Sequence, residues 1–374
     1  MLRIKLDYSF TTRDTAQGAG DARAAHLVNP LFALLAAIRQ AGSIRRAATH
    51  LGFSYRHVWG ELKRWEGDLG QSLIVWEKGR HARLTPFGEK LVWAEARTRA
   101  RIAPQIQSLA SELESAFAVA FDDAAHILSV QASHDLALPL LKDRLLASAV
   151  HLDLQYCGSL DALAGLSAGR CLLAGFHVGY EHGAGSLTAK AFKRYLVPGR
   201  HKLIDFAGRR QGLMLAHGNP RSINGLADLT RGGLRFINRQ RGSGTRVEIE
   251  QLFAAQGIDS ARVAGFDDEE STHLAVAAAV AAGAADAGFG IEAAALRYGL
   301  DFLPLMNERY YLACLKETLE LPAVTTLLGV LSGAAWRTQA LALPGYTLND
   351  PGAVVPLTRA LPWYRYRSPK LVHA

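Results

Sequence analysis

The chain has 374 residues, 49% hydrophobic and 20% charged, with a formal net charge of +8. That length exceeds one ordinary domain and implies two or three, each able to bury its own core. The three cysteines, Cys157, Cys171 and Cys314, stand too far apart for a disulfide framework or a metal spacing and read as reduced thiols. With no cationic start followed by an apolar segment, and no apolar run of spanning length, the expected protein is cytoplasmic and has no membrane contact.

The positive excess lies mainly in residues 1–121, where 17 Lys/Arg face 11 Asp/Glu. A polyanionic partner is expected for this third, with a solvated basic surface as the plain alternative. Leu2, Ile4, Leu6 and Tyr8 alternate with polar residues as in a half-buried strand, and a polar connector runs to residue 25. Asn29 and Pro30 then open a helix with Leu31, Leu34, Leu35 and Ile38 on one face, ended by Gly42. Ser43 caps a second short helix. Ser54 caps a third, whose buried stripe is Val58, Leu62, Trp65 and Leu69. Three short helices in this order predict a helix-turn-helix over residues 26–85. Its outward face carries Tyr55, Arg56, His57, Lys63 and Arg64: Arg56 suits bidentate reading of guanine, and Lys63 and Arg64 suit phosphate. Two short apolar segments bracket a basic turn with Arg80 at its tip, which predicts a wing.

Residues 42–54, Gly70 and residues 84–89 resemble the DNA-binding domain of LysR-type regulators. Ser54, Tyr55, Arg56, Val58 and Trp59 look closer still to the molybdate-responsive, ModE-type recognition helix. The resemblance implies a homodimer, or a higher homo-oligomer, on a palindromic operator of double-stranded DNA. The caps Ser43 and Ser54 are counted with the DNA-contact residues, and the following helix is the dimerisation element. The sequence offers that helix over residues 86–120, with Ile102, Ile106, Leu109 and Leu113 at helical spacing and Pro104 as a point of kinking or division.

From His126 onward short apolar strands alternate with helices, which predicts a doubly wound α/β domain with ligands at the carboxyl ends of its strands. The first such loop holds Ser133, His134 and Asp135. Three adjacent residues diverge in direction and form no hydrolytic triad. A second α/β lobe follows. The strand ending at Ile237 delivers nine residues combining three arginines, two glycines and two hydroxyls: Asn238, Arg239, Gln240, Arg241, Gly242, Ser243, Gly244, Thr245 and Arg246. A glycine-rich turn opening a helix presents free N–H groups and the positive end of the helix dipole, so the stretch reads either as an anion seat or as an arginine-rich surface turn. Thr272 and His273, at the start of an alanine-rich helix, are further ligand donors, and the preceding acids of residues 267–270 serve the helix dipole rather than a metal.

In their order, residues 211–214, 218–220, 238–246, 270–273, 285–288 and 301–305 resemble the periplasmic-binding-protein-like domain attached to molybdate-type helix-turn-helix proteins and found in some molybdopterin-biosynthesis proteins. The motif of residues 238–246 also looks like the Arg-Gly-x-x-Ser-Gly-Thr loop of tungstate-binding proteins, which implies that Ser133, Ser243, Gly244, Thr245 and Arg246 line an oxyanion site. The expected fold is therefore α/β: an N-terminal winged helix-turn-helix and long linker helix, then a two-lobed periplasmic-binding-protein-like domain over residues 121–345 and a tail over 346–374. The function this implies is a one-component transcription regulator with no catalytic cofactor, whose effector is molybdate, tungstate or a molybdenum-cofactor species. Formate or another small carboxylate meets the same donors. The rival is a cofactor-biosynthesis enzyme with a DNA-binding appendage, using His134, His273 and Asp286. Asp135 stands out, since an acid beside an oxyanion opposes binding unless it points away.

Overall fold

A computed structural model describes residues 29–75, 82–122, 124–179 and 183–364. The expected first strand, the connector, Arg80 and the basic residues beyond 364 lie outside them. The chain forms two compact units, Met1–Ala103 and Pro104–Ala374.

In the first unit, α1 (Pro30–Ala41), α2 (Ile44–His50) and α3 (Tyr55–Leu69) precede the hairpin of β1 (Ile74–Val75) and β2 (Arg83–Leu84). Local chemistry fixes each boundary. The Asn29 side chain accepts from the Leu31 N–H at 2.9 Å, Ser54 Oγ accepts from the His57 N–H at 3.1 Å, and Gly42 ends α1 in the left-handed region at φ 61°. Leu35, Ile38, Ala47, Val58, Leu62 and Leu73 form the core. Helix α4 (Pro86–Phe121) passes through Pro104 as one helix, and the boundary between the units falls inside it. The helix expected over residues 86–120 is thus present as one element.

The second unit is built on one mixed sheet with strand order β4-β3-β5-β10-β6-β9-β7-β8. One lobe holds β3 (His126–Ala132), α5 (Leu138–Ala147), β4 (Val150–Tyr156), α6 (Ser159–Ser167), β5 (Leu173–Gly179) and α7 (Leu187–Lys193). The long strands β6 (His201–Leu215) and β10 (Asp301–Leu315) pair antiparallel along their whole length and run through both lobes. Between them in sequence lie β7 (Phe236–Arg239), α8 (Gly244–Ala255), β8 (Glu269–Glu270), α9 (His273–Ala281), β9 (Ala287–Ile291) and α10 (Glu292–Arg297), which make the second lobe. Helices α11 (Pro322–Ser332) and α12 (Ala334–Leu341) close the first lobe; α11 packs on α5 and β3.

Residues 346–364 are not a tail. β11 (Tyr346–Thr347) and β12 (Val354–Pro356) pair with β6, and Leu357 of α13 (Leu357–Ala360), Leu361 and Trp363 enter the core. The alanine-rich α9 is buried almost throughout because its small side chains, with Gly288, let β9 approach closely: a Cβ at Gly288 would meet Val276 Cγ1 at 2.4 Å.

The second half of α4 covers the edge of this sheet. Ser111 Oγ donates to the Leu152 carbonyl at 2.6 Å and accepts from the Leu154 N–H at 2.9 Å, while Ser108 Oγ accepts from the Tyr156 N–H at 2.9 Å. Two serine side chains thus satisfy β4 backbone groups that an unpaired edge strand leaves open. The opposite face presents Leu109, Leu113 and Phe117 to solvent.

Candidate functional site

Polar residues gather where β6 and β10 cross from one lobe to the other, next to a register shift at Pro304/Met306. Arg209, Gln211 and Glu308 are fully buried there. Arg209 Nη1 lies 2.6 Å from Asp135 Oδ2 and its Nη2 sits against Glu308, which also accepts from Gln211. His177 Nδ1 is 2.6 Å from the same carboxylate. Burial pushes the Glu308 carboxyl up, but Arg209 and His177 outweigh it and hold it at about 2. Asp135 is also bound by the Tyr346 hydroxyl at 2.6 Å and by the Ala137 N–H at 2.7 Å. It is compensated by Arg209 and turned into the protein, so it does not oppose an anion.

Above this floor the lobes touch. The Leu160 N–H donates to Gly242 O at 3.3 Å, the Gly179 N–H to Glu248 Oε1 at 3.0 Å and the Leu187 N–H to Gln251 Oε1 at 2.7 Å. A Cβ at Gly158 would come within 2.8 Å of Gly242 O, and one at Gly244 within 2.8 Å of His177 Cε1 and 3.1 Å of Ser159 Oγ. The cleft is closed, and glycine permits the closure. Gly158→Ala is therefore expected to prop the lobes apart; small-angle scattering of the two proteins measures this as a larger radius of gyration in the variant.

The first turns of α6, α8 and α9 face this junction. Ser243 caps α8: its Oγ accepts from the Arg246 N–H at 3.1 Å and donates to Gln240 O at 2.8 Å. Thr272 caps α9 through the Ala275 N–H at 3.0 Å. Gly244 and Thr245 in α8, and His273 in α9, follow their caps directly, so their N–H groups have no partner within the helix. Thr245 Oγ1 accepts from Gln211 at 3.4 Å. Ser133 is tied to Tyr310, which donates to the Ser133 carbonyl at 2.8 Å.

The three arginines of the 238–246 stretch take different roles. Arg246 stacks on Phe266 and is held by Glu250 at 2.6 Å, the Phe266 carbonyl at 3.0 Å, Asp267 at 3.2 Å and Glu269 at 3.4 Å. Arg241 is exposed and pairs with Asp267 and Glu269. Asn238 is buried and bonds the Phe266 carbonyl and the Arg239 N–H. These three expected ligand residues are structural: their polar groups are already spent, and the acids at 267 and 269 serve the arginines. Arg239, the remaining arginine of the stretch, differs from these. Its guanidinium is buried, donates only to the carbonyls of Glu270 (3.3 Å) and Ser271 (2.9 Å), and has no carboxylate partner among the described residues. Burial, with Arg209 adding to it, pushes Arg239 down to about 9 against the weaker pull of Glu308.

Arg239 acts electrostatically on His134 and His273, and the buried polar atoms that no described residue satisfies include His134 Nδ1 and His273 Nδ1, with Tyr156 Oη and Ser159 Oγ. Burial and the Arg239 charge push His134 down to about 4 and hold His273 well below the ordinary range, so both are neutral at physiological pH. The rings of His177 and His273 are 6.5 Å apart, and those of His134 and Tyr156 5.1 Å. His177, Tyr156, Ser159, Arg209, Gln211 and Glu308 are not among the site residues expected from the sequence; the signal available for Tyr156 and Ser159 is their place at and just beyond the carboxyl end of a strand. Asp286 is bound by Arg221 and by the backbone of Arg235 at the amino end of β9, away from His134 and His273, so the acid–base set of the enzyme rival is not assembled.

On the helix-turn-helix, Tyr55, Arg56 and His57 are exposed at the start of α3. Lys63 and Arg64 pair with Glu66 at 2.7 Å and Glu61 at 2.5 Å on the same helix, so their charge is partly spent. Ser43 begins α2 without a side-chain capping bond, and Ser54 is used as a cap. Among the described residues no helix is long and apolar enough to cross a membrane, and no cluster of His, Cys, Asp and Glu could hold a metal ion.

Residues 143–332 match the family model described as the PBP superfamily domain. The chain belongs to the PBP superfamily. Ahead of the PBP domain, residues 31–89 match the bacterial regulatory helix-turn-helix proteins of the lysR family. The chain is 34% identical over 201 residues to the uncharacterized protein YvgK of Bacillus subtilis (strain 168), covering 54% of this chain and 64% of that protein. It is 36% identical over 108 residues to an uncharacterized protein in the ferredoxin 2Fe-2S gene 5′ region of Clostridium pasteurianum, covering 29% of this chain and 96% of that one. Among solved structures, the LysR family regulator CbnR is similar with a TM-score of 0.39 at 19% identity, covering 79% of this chain and 95% of CbnR. A phosphate-bound substrate-binding protein from Clostridium perfringens gives 0.46 at 10% identity, covering 60% of this chain and all of that one.

Proposed function

We propose that this protein is a one-component transcription regulator whose helix-turn-helix binds a DNA operator as a homodimer and whose PBP domain closes on a small anion. The observation that carries the effector is Arg239, a buried cation with no carboxylate partner among the described residues, whose charge is felt by His134 and His273, each with an unsatisfied Nδ1. A buried charge without a counter-ion is costly, and an anion removes that cost. Molybdate, tungstate or a molybdenum-cofactor species are the first effectors to test, on the resemblance of both halves to families tied to that metal. Formate meets the same donors.

Thermal denaturation with molybdate, tungstate, sulfate and formate tests the reading. An effector at a hundred times its Kd stabilises the protein by about 2.7 kcal/mol; no shift from any of the four sinks the anion site. For the DNA half, Arg56→Ala is expected to weaken binding to a duplex selected from random sequence by about 1–3 kcal/mol and to relax its base preference. Lys63→Ala, already paired with Glu66, has a smaller and sequence-independent effect. Gel-shift titrations at fixed salt separate the two, and unchanged affinity in Arg56→Ala refutes the assignment of α3 as the reading helix.

A further inference from the structure

Tyr156 belongs to two structures at once. It is the last residue of β4, at the carboxyl end of the parallel strands. Its ring lies 5.1 Å from that of His134, and its hydroxyl is buried without a partner among the described residues. Burial, with the charge of Asp135 adding to it, raises that hydroxyl far above the usual range, so it stays protonated and able to donate. Native proteins leave few buried hydroxyls unsatisfied, and this one belongs to a ring packed against a neutral histidine whose Nδ1 is also unsatisfied. The backbone of Tyr156 faces the other way: its N–H donates to Ser108 Oγ of α4 at 2.9 Å.

Ser108 is bound to the same strand a second time, since Gln155 Nε2 donates to the Ser108 carbonyl at 3.1 Å. Ser111, one turn further on, bonds the middle of the strand at Leu152 and Leu154. Helix α4 is thus attached to β4 by two serines, and only one touches the residue that ends in the cleft. A change in the position of Tyr156 moves a hydrogen bond of α4 directly, through one residue.

We infer that Tyr156 is both an effector contact and the point from which effector occupancy passes to α4, with Ser108 as the positioning residue that receives it. The inference rests on the anion site proposed above. It needs no long chain of contacts, only a difference in the Tyr156 position between the open and closed cleft, which the effector biases by its differential affinity.

The test uses the full chain and molybdate as the probe, with tungstate, sulfate and formate as alternatives if molybdate gives no thermal shift. Binding is read by the shift, coupling by the probe-induced change in hydrogen–deuterium exchange of residues 104–121. Tyr156→Phe keeps the ring and removes the hydroxyl; it is expected to weaken the probe at least fivefold. Ser108→Ala is expected to keep probe affinity within twofold while losing most of the exchange change, and Ser108→Thr to restore it. Ser111→Ala is expected to lower the melting temperature with and without probe but to retain the exchange change, which a purely structural serine at 108 would also do.

An exchange response that survives in Ser108→Ala, or is lost equally in Ser111→Ala, overturns the coupling, as does unchanged affinity in Tyr156→Phe. If wild type responds to none of the four anions, or Arg239→Met binds the probe as well as wild type, the anion site itself fails and the inference falls with it.

Discussion

Arg239→Met is expected to leave the unliganded protein as stable as wild type or more so, and to abolish its stabilisation by the effector. The folded value of Arg239, about 9, lies below its ordinary 12.5. Its charged form is therefore disfavoured by folding, a cost present at every pH below about 9 and relieved only as pH rises past it. Replacing a buried, poorly paired charge by an apolar side chain gains on the order of 1–4 kcal/mol. Two donations to carbonyls are lost, each worth about 1 kcal/mol, so the net change is small or favourable. The effector response moves the opposite way, because the counter-charge is gone. Calorimetric melting with and without the stabilising anion measures both quantities. A variant that is markedly less stable yet keeps its ligand shift shows that Arg239 is a structural residue.

Arg209→Ala has the opposite character. It strips the cation from Asp135 and Glu308, both fully buried, and removing one partner of such a pair costs about 3–5 kcal/mol. For a unit of this size that lowers the melting temperature by roughly 5–10 °C. The loss depends on pH. Glu308 sits at about 2 when folded, below its ordinary 4.5, so its contribution is complete above about pH 4.5 and disappears as pH falls towards 2. The gap between wild type and variant therefore narrows on acidification. Melting curves from pH 7 down to pH 3 follow it, and a gap of constant size rules out the ion pair as its cause.

The two predictions rest on residues the sequence disclosed unequally. The strands of the lobes were legible because each is a short apolar run. β6 and β10 show an apolar run only at residues 213–216 and 302–305, because Arg209, Arg210 and Gln211, and Asn307, Glu308 and Arg309, interrupt their apolar pattern. Those interruptions are the cleft floor: the residues that hid the strands are the ones the site needs. In the 238–246 stretch, the helix start and its caps followed from glycine and serine chemistry. Which arginine faced inward did not. Arg246 lies in the first turn of α8, where Glu250 sits four residues on, and Arg241 lies on an exposed turn with Asp267 and Glu269 beside it. Arg239, the last residue of β7, was left without an acid, and that difference depends on residues nearly thirty positions away. The closing segment read as a tail because β11 and β12 are two and three residues long, too short to show a period.

The serine-covered edge of β4 also sets where this chain can be cut. An uncovered edge strand is a template for another chain, and proteins commonly hide such edges to stay unassociated. Here the cover is supplied by residues that precede the first strand of the PBP domain, from Ser108 to Ser111 of a helix that reads in sequence as a mere connector. A fragment begun at His126 would keep every strand and the whole cleft, yet bare the backbone of β4 and invite self-association. The natural start of the PBP half is Pro104, well inside the helix, so the piece that looks like a spacer is part of the folded half.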